Sequence, residues 1–185
     1  EFAGSSLTQL PCGTIEVGQK SFASDLRSVW IPTGSIDDEM LTESQLGQLR
    51  ALNGSGGWIS KESRPDVAQL CNHSQQAFGE STVTIADLKT ANRMVKRIKE
   101  YQDLTLKYKP VALEDLRLMV SSDASFQNAR RGRTQAGYIV AFTTQEMMQG
   151  KESYWAPLSW KSTTLKRITP STLSAEAQVL SSAMG

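Results

Sequence analysis

The sequence predicts a mixed α/β or α+β chain: a mostly helical segment over residues 1–111, then a three-stranded antiparallel meander that runs into a helix over 112–185. Three observations predict it. Apolar residues recur every three or four positions in "IADLKTANRMVKRIKEYQ" at Ile85, Leu88, Ala91, Val95 and Ile98, the mark of one packed helix face. After Lys109-Pro110 the texture changes to three apolar stretches, "LRLMVSSDASF", "TQAGYIVAFTT" and "WAPLSWKST", separated by polar loops. "STLSAEAQVLSSAM" then returns to helical spacing at Leu173, Ala177, Leu180 and Met184. Strands in succession followed by a helix suit an α+β unit.

In chain order, residues 1–60 read as short strands and turns followed by a helix, with Gly13 to Gln19 alternating as a half-buried strand does. "QKSFASDLRSVW" spaces Phe22, Leu26 and Val29 or Trp30 as a helix, ended by Pro32-Thr33-Gly34-Ser35. A second helix starts near Thr42, whose hydroxyl can cap it, and the glycines of "LNGSGGW" predict a hinge after it. Pro65 and Asp66 suit the start of a further helix, because proline lacks a donor that the first turn would leave unpaired and a carboxylate favours the positive dipole end. Val67, Leu70, Cys71, Ser74 and Phe78 are expected on its packed side. Thr84 caps the clearest helix, where Lys89, Arg93, Lys96 and Arg97 fall mainly on another face, either solvated or in contact with nucleic acid.

Composition bounds the function. With 20 Lys and Arg against 19 Asp and Glu, the formal net charge is +1, so a nucleic-acid role rests on local basic clusters rather than on a uniformly basic surface. Cys12 and Cys71 lack metal-ligand spacing and are expected as packed, reduced thiols. No run of about 18 apolar residues occurs and no secretory leader is visible, so no membrane partner is expected and a cytoplasmic or nuclear location is. The chain opens on Glu1-Phe2 and closes on Met184-Gly185 just after a helical pattern begins, and is expected to be a piece of something longer.

The residues with chemical potential are Asp123, at the end of an apolar strand in "VSSDAS", and Glu176, on the helix in "LSAEAQVL". Alone, each reads as an ordinary surface acid. Together, a strand ending in Asp, two more strands and a helix bearing Glu can bring two carboxylates to one site. Carboxylate oxygens suit Mg²⁺ or Mn²⁺, and a pair of such ions can activate water and stabilise the leaving oxygen in phosphodiester hydrolysis.

At this point the residues carry a resemblance. "VSSDASFQNARRGRTQAGYIVAFTT" followed by "APLSWKSTTLKRITPSTLSAEAQVL" resembles the ribonuclease H segment of copia-type retrotransposon Pol polyproteins, with four motifs in the family's order. Upstream, "LRALNGSGGWISKESRPDVAQL", "TVTIADLKTANRMVKRIK" and "GTIEVGQKSFASDL" resemble the reverse transcriptase segment between polymerase palm and nuclease. The resemblance implies a connection segment over 1–111 and the N-terminal part of a ribonuclease H-like fold over 112–185. It implies that the parent synthesises DNA on an RNA template and hydrolyses the RNA of the resulting hybrid with Mg²⁺ or Mn²⁺, a two-ion site existing only in the complete domain.

Carried over residue by residue, Asp123 and Glu176 match the first two metal-binding catalytic carboxylates, with Asp123 holding both ions and Glu176 holding one and orienting water. The remaining carboxylates would fall beyond Gly185, and Asp37-Asp38 does not match the polymerase loop, so the chain is expected to be inactive alone. Arg130, Arg131 and Arg133, between the first two strands, and Lys161, Lys166 and Arg167, between the third strand and the helix, are the expected phosphate contacts to an RNA·DNA hybrid. The other implied partners are the rest of the palm and of the nuclease domain. Trp58 and Trp155 are candidates for base stacking, Trp160 is expected in the core, and His73 as a packed or capping residue. The rival reading is a non-catalytic nucleic-acid-binding relic or host-adopted module.

Overall fold

The computed structural model describes residues 4–167 and 169–184, and shows a mixed α+β chain with six α-helices and two three-stranded sheets among them. It divides into two compact units, one formed by Gly18–Leu104 with Gly4 and Ser5, the other by Ser6–Val17 together with the chain from Thr105 onward. The sequence boundary at 112 thus falls inside the second unit, which also takes in a segment from the start of the chain.

The first unit is helical. It contains α1 (Lys20–Asp25), α2 (Glu43–Glu62), α3 (Ala68–Gln75) and α4 (Ile85–Glu100), with a 3₁₀ turn over Pro65–Val67 ahead of α3. α1 is only six residues long: Leu26 is already extended at φ −60°, ψ 141°, so Leu26 and Val29 reach the core from a non-helical segment. Asn92 of α4 holds that segment, its amide donating to the Val29 carbonyl at 2.8 Å and its carbonyl accepting the Val29 N–H at 2.9 Å. Thr42 opens α2 with a capping box: its hydroxyl accepts the Gln45 N–H at 3.3 Å while the Gln45 side-chain oxygen accepts the Thr42 N–H at 3.0 Å.

The expected glycine hinge is absent, and α2 runs unbroken through Gly54, Gly56 and Gly57. Packing explains the correction. A Cβ on Gly56 would lie 2.4 Å from the Met94 Cε and one on Gly57 3.1 Å from the Gln75 Nε2, so these glycines let α3 and α4 approach α2 closely. Neighbouring helices thereby offset the roughly 1 kcal/mol propensity cost of each glycine. Leu49, Ile59, Val67, Leu88, Met94, Val95 and Ile98 are fully buried in the resulting core. α4 fills it as its periodicity predicts, whereas beyond α3 the buried residue is Ala77 and Phe78 is exposed, with Arg50 5.7 Å from its ring. His73 is exposed rather than packed.

The second unit carries both sheets. One has the order β1 (Ser6–Gln9), β2 (Ile15–Gly18), β3 (Thr105–Tyr108). Gly13 sits in the turn before β2 at φ +84°, a left-handed conformation that favours glycine. The other is the expected antiparallel meander β4 (Leu116–Ser125), β5 (Gln135–Thr144), β6 (Trp155–Thr164), with a short helix α5 (Gln145–Met148) in the loop between β5 and β6. The Tyr108 hydroxyl donates to the Pro157 carbonyl at 2.8 Å, and the Tyr154 hydroxyl donates to the Lys107 carbonyl while accepting the Lys109 N–H, so β3 is tied to β6 and its preceding loop.

α6 (Thr172–Met184) packs on β4 and β5, through residues other than those its leucines suggest. Ala175 and Val179 are buried with Ala124, Ala136 and Leu165, whereas Leu173, Leu180 and Met184 are exposed. Small side chains on both surfaces bring helix and sheet together, and the bulkier apolar residues project outward.

Both cysteines are free; Cys71 is buried but Cys12 is exposed, against the expectation of two packed thiols. Hydrogen bonding by the side chain and then the main chain of Thr14 holds the Cys12 thiol below its ordinary range, while burial pushes Cys71 up. Titration with a thiol-specific reagent is accordingly expected to label Cys12 in the native protein, with a midpoint below that of a free cysteine, and Cys71 only after unfolding. Equal native labelling of both would contradict this packing.

Candidate functional site

The end of the second sheet where β4 finishes, β5 begins and β6 finishes holds Asp123, Arg130, Arg131, Arg133, Lys166 and Arg167. Ser125 pairs with Gln135, which pairs with Thr164, and one step inward Asp123 pairs with Gly137, which pairs with Ser162. Asp123 is exposed, its Oδ1 accepting the Ala124 N–H at 2.9 Å. Because side chains alternate along a strand, Asp123 points to the face opposite Ala124. On that face its cross-strand neighbour Gly137 contributes no side chain, leaving the carboxylate open to approach.

Glu176 is exposed on the second turn of α6. It is the chain neighbour of Ala175, as Asp123 is of Ala124, and both alanines belong to one buried cluster. Asp123 is thus on the sheet face away from this cluster while Glu176 is on the helix that packs against it, so the structure does not set the two carboxylates on one face of the sheet as expected. Among the described residues neither forms an ion pair, and no group of three or more His, Cys, Asp or Glu is placed to hold a metal ion. Carboxylate oxygens are the right donors for Mg²⁺, but two of them do not make up the oxygen-rich shell that such an ion takes, so the residues present do not fit a complete two-ion site.

The basic residues converge on the same end. Arg130 and Arg131 lie in a 3₁₀ turn over Arg130–Gly132, with Arg131 at φ +59° and Gly132 at φ +65°. Arg133 follows and is exposed, its carbonyl accepting the Ala129 N–H at 2.8 Å. Lys166 and Arg167, both exposed, come just after β6. The two turns are stitched together: the Leu165 N–H donates to the Thr134 carbonyl at 2.9 Å, and the Thr134 and Thr169 hydroxyls are hydrogen-bonded at 3.0 Å in a buried contact. Arg133 and Lys166 each adjoin a member of that junction. Lys161, expected between strand and helix, lies instead within β6 opposite Tyr138, on the face that bears α6. The Thr134–Thr169 junction was not identified from sequence, since buried threonines in polar loops look like any turn residues.

A second basic surface lies in the helical unit. Lys89, Arg93, Lys96 and Lys99 line a groove of about 1040 Å³ along α4, together with Asp37 and Glu100. Lys89 pairs with Asp37 at 2.6 Å, and Lys99 donates to the carbonyls of Ser24 and Leu26 at 3.2 and 3.1 Å. Arg97 turns elsewhere, 4.0 Å from the Tyr101 ring and 3.7 Å from Asp66. Trp58 and Trp155 are each about two-fifths exposed and Trp160 is half-buried.

No helix among the described residues is long and apolar enough to cross a membrane. No family model, no curated protein and no solved structure matches the chain.

Proposed function

We propose that this chain is a nucleic-acid-handling part of a copia-type retrotransposon reverse transcriptase/ribonuclease H, whose parent performs RNA-directed DNA synthesis and metal-dependent hydrolysis of RNA in RNA·DNA hybrids. The chain itself binds the hybrid without cleaving it. What supports this reading is that Asp123, near the end of β4, shares one end of the β4–β5–β6 sheet with Arg133, Lys166 and Arg167, which lie in two turns joined by the Thr134–Thr169 contact. Cations at that end offer phosphate contacts beside an open carboxylate, an arrangement suited to a polyanion that carries its own counterions. The other partners under this reading are the remainder of the palm and of the nuclease domain. The same cations are equally what a non-catalytic nucleic-acid-binding relic or host-adopted module requires.

The test is fluorescence anisotropy with a labelled RNA·DNA hybrid, with duplex DNA as competitor, alongside a Mg²⁺-dependent cleavage assay. Hybrid binding is expected to weaken as salt rises from about 50 to 200 mM. Asp123→Asn is expected to change affinity less than about twofold, since a carboxylate does not attract phosphate. Mn²⁺ is expected to broaden the amide resonances around Asp123 and Glu176, and Asp123→Asn to remove that broadening. Absence of hybrid binding would end the proposal, and cleavage by this chain alone would end its binding-only part.

A further inference from the structure

The groove along α4 lies wholly within the helical unit, and its walls are pinned to the helix. Asn92 holds the Val29 backbone through two hydrogen bonds, and the Ala86 and Ile85 N–H groups donate to the Asp37 and Glu39 carbonyls at 3.1 and 2.9 Å. Its cations are not equivalent. Lys89 is engaged by Asp37 at one end, and Lys99 by the Ser24 and Leu26 carbonyls at the other. Between them Arg93 and Lys96 are exposed on one helix face, and neither joins an ion pair among the described residues. The Arg93 guanidinium is held in place by Thr90, which is only 7% exposed. The Thr90 hydroxyl gives its proton to the Ala86 carbonyl at 3.0 Å and accepts an Arg93 Nη2 hydrogen at 2.9 Å. The remaining donors of the fork are left for a ligand. Ser28, next to the pinned Val29, adds a hydroxyl to the same groove.

We propose that this groove binds a nucleoside triphosphate, with its phosphates held between Arg93 and Lys96. Charge placement selects a compact ligand over a strand. Asp37 lines the groove beside Lys89 and Glu100 lines it beyond Lys99, and the helix between these two lysines is about 15 Å long. A continuing strand would carry its phosphates past one carboxylate or the other, whereas a triphosphate concentrates its charge between them. Arginine supplies the directional donors and lysine a second positive charge, the combination suited to adjoining phosphates. Size argues for an organic body as well: a groove of about 1040 Å³ stands at the upper end of small-ligand sites and has room beyond the phosphates. Free tripolyphosphate offers the same anionic chemistry without the nucleoside, and the two are told apart by direct comparison.

This site does not rest on the nuclease reading, and it is measured in EDTA without hybrid, so that failure of either leaves the other standing. Titration of the full chain with ATP, followed by calorimetry and amide NMR shifts, is expected to saturate, with shifts confined to α4 and the segment around Ser28. Arg93→Gln is expected to weaken ATP binding at least about tenfold and Lys96→Gln about fivefold, the loss of charge-assisted bonds to phosphate. Thr90→Val is expected to weaken it about threefold with Arg93 in place and not at all in an Arg93→Gln background, the non-additivity of a residue that acts through Arg93. A general loss of stability would not give that pattern, and far-UV circular dichroism checks that each variant folds. Tripolyphosphate is expected to bind about fivefold more weakly than ATP, since it leaves the rest of the groove empty. Equal affinity would keep the clamp and make inorganic polyphosphate its ligand. A single-stranded oligothymidine at equal phosphate concentration is expected to leave ATP bound. Absence of saturable ATP binding overturns the proposal, as does binding indifferent to Arg93→Gln or displacement by the oligothymidine as effective as by ATP itself.

Discussion

Arg64→Ala is expected to destabilise the helical unit by about 3–5 kcal/mol, the range for breaking a buried ion pair by removing one partner. The Arg64 side chain is only 2% exposed, yet every direction of its guanidinium is used. Its Nε and Nη2 donate to the two Asp66 oxygens at 2.7 and 2.8 Å. Its Nη1 donates to the carbonyls of Ile98 and Tyr101 at 3.1 and 3.0 Å, and Nη2 reaches that of Arg97 at 3.4 Å. These carbonyls lie at the C-terminal end of α4, where the helix leaves acceptors without internal partners and where its dipole favours a cation. Alanine would leave those acceptors and Asp66 short of donors and open a void beside the core. Lysine keeps the charge but not the fork, so Arg64→Lys is expected to recover less than half of the loss. With two compact units, a single unfolding midpoint is not the right readout. Amide hydrogen exchange is: protection should fall along α4 and remain along β5. A loss below about 1 kcal/mol would show that solvent replaces these bonds without cost.

This residue marks the limit of what the sequence revealed. Pro65 and Asp66 were legible as a helix start because their roles are local. Arg64 was not, since its partners on α4 are more than thirty positions away. α4 itself was the easiest element to foresee, with Ile85, Leu88, Ala91, Val95 and Ile98 on one face and all buried. The hinge assigned to Gly54, Gly56 and Gly57 failed because propensity describes an isolated helix, whereas Met94 and Gln75 need the space these glycines leave. β3 went unnoticed for a similar reason: the four residues of "TLKY" are too short to show a period, and their partner strand β2 lies near the start of the chain.

The candidate site was readable as an order of motifs rather than as a geometry. Alternation along "LRLMVSSDASF" and "TQAGYIVAFTT" was enough to set the meander, and with it Asp123 near a strand end. The face of α6 was harder to foresee, because the eye follows Leu173, Leu180 and Met184 while Ala175 and Val179 make the contact. Close packing of small residues saves volume rather than maximising buried area, so hydrophobicity alone points to the wrong stripe.

Replacing Arg133, Lys166 and Arg167 together by Gln is expected to reduce hybrid affinity about a hundredfold at low salt and to flatten the log–log salt dependence by about 2–3, the slope change for losing three phosphate contacts. All three side chains are exposed, so the fold should survive their neutralisation. The effect is expected to be cooperative in position rather than merely additive in charge, because the Leu165–Thr134 and Thr134–Thr169 bonds hold the two turns side by side. Thr134→Val should therefore weaken binding with all cations retained. The decisive comparison is Lys89, Arg93 and Lys96 changed together to Gln, which removes the same charge from the groove along α4. If binding depended only on net charge, the two triple variants would fall equally. A fall confined to the turn variant localises the hybrid at the sheet end beside Asp123. A fall confined to the α4 variant moves the hybrid to the helical unit and removes the main support for placing it beside Asp123.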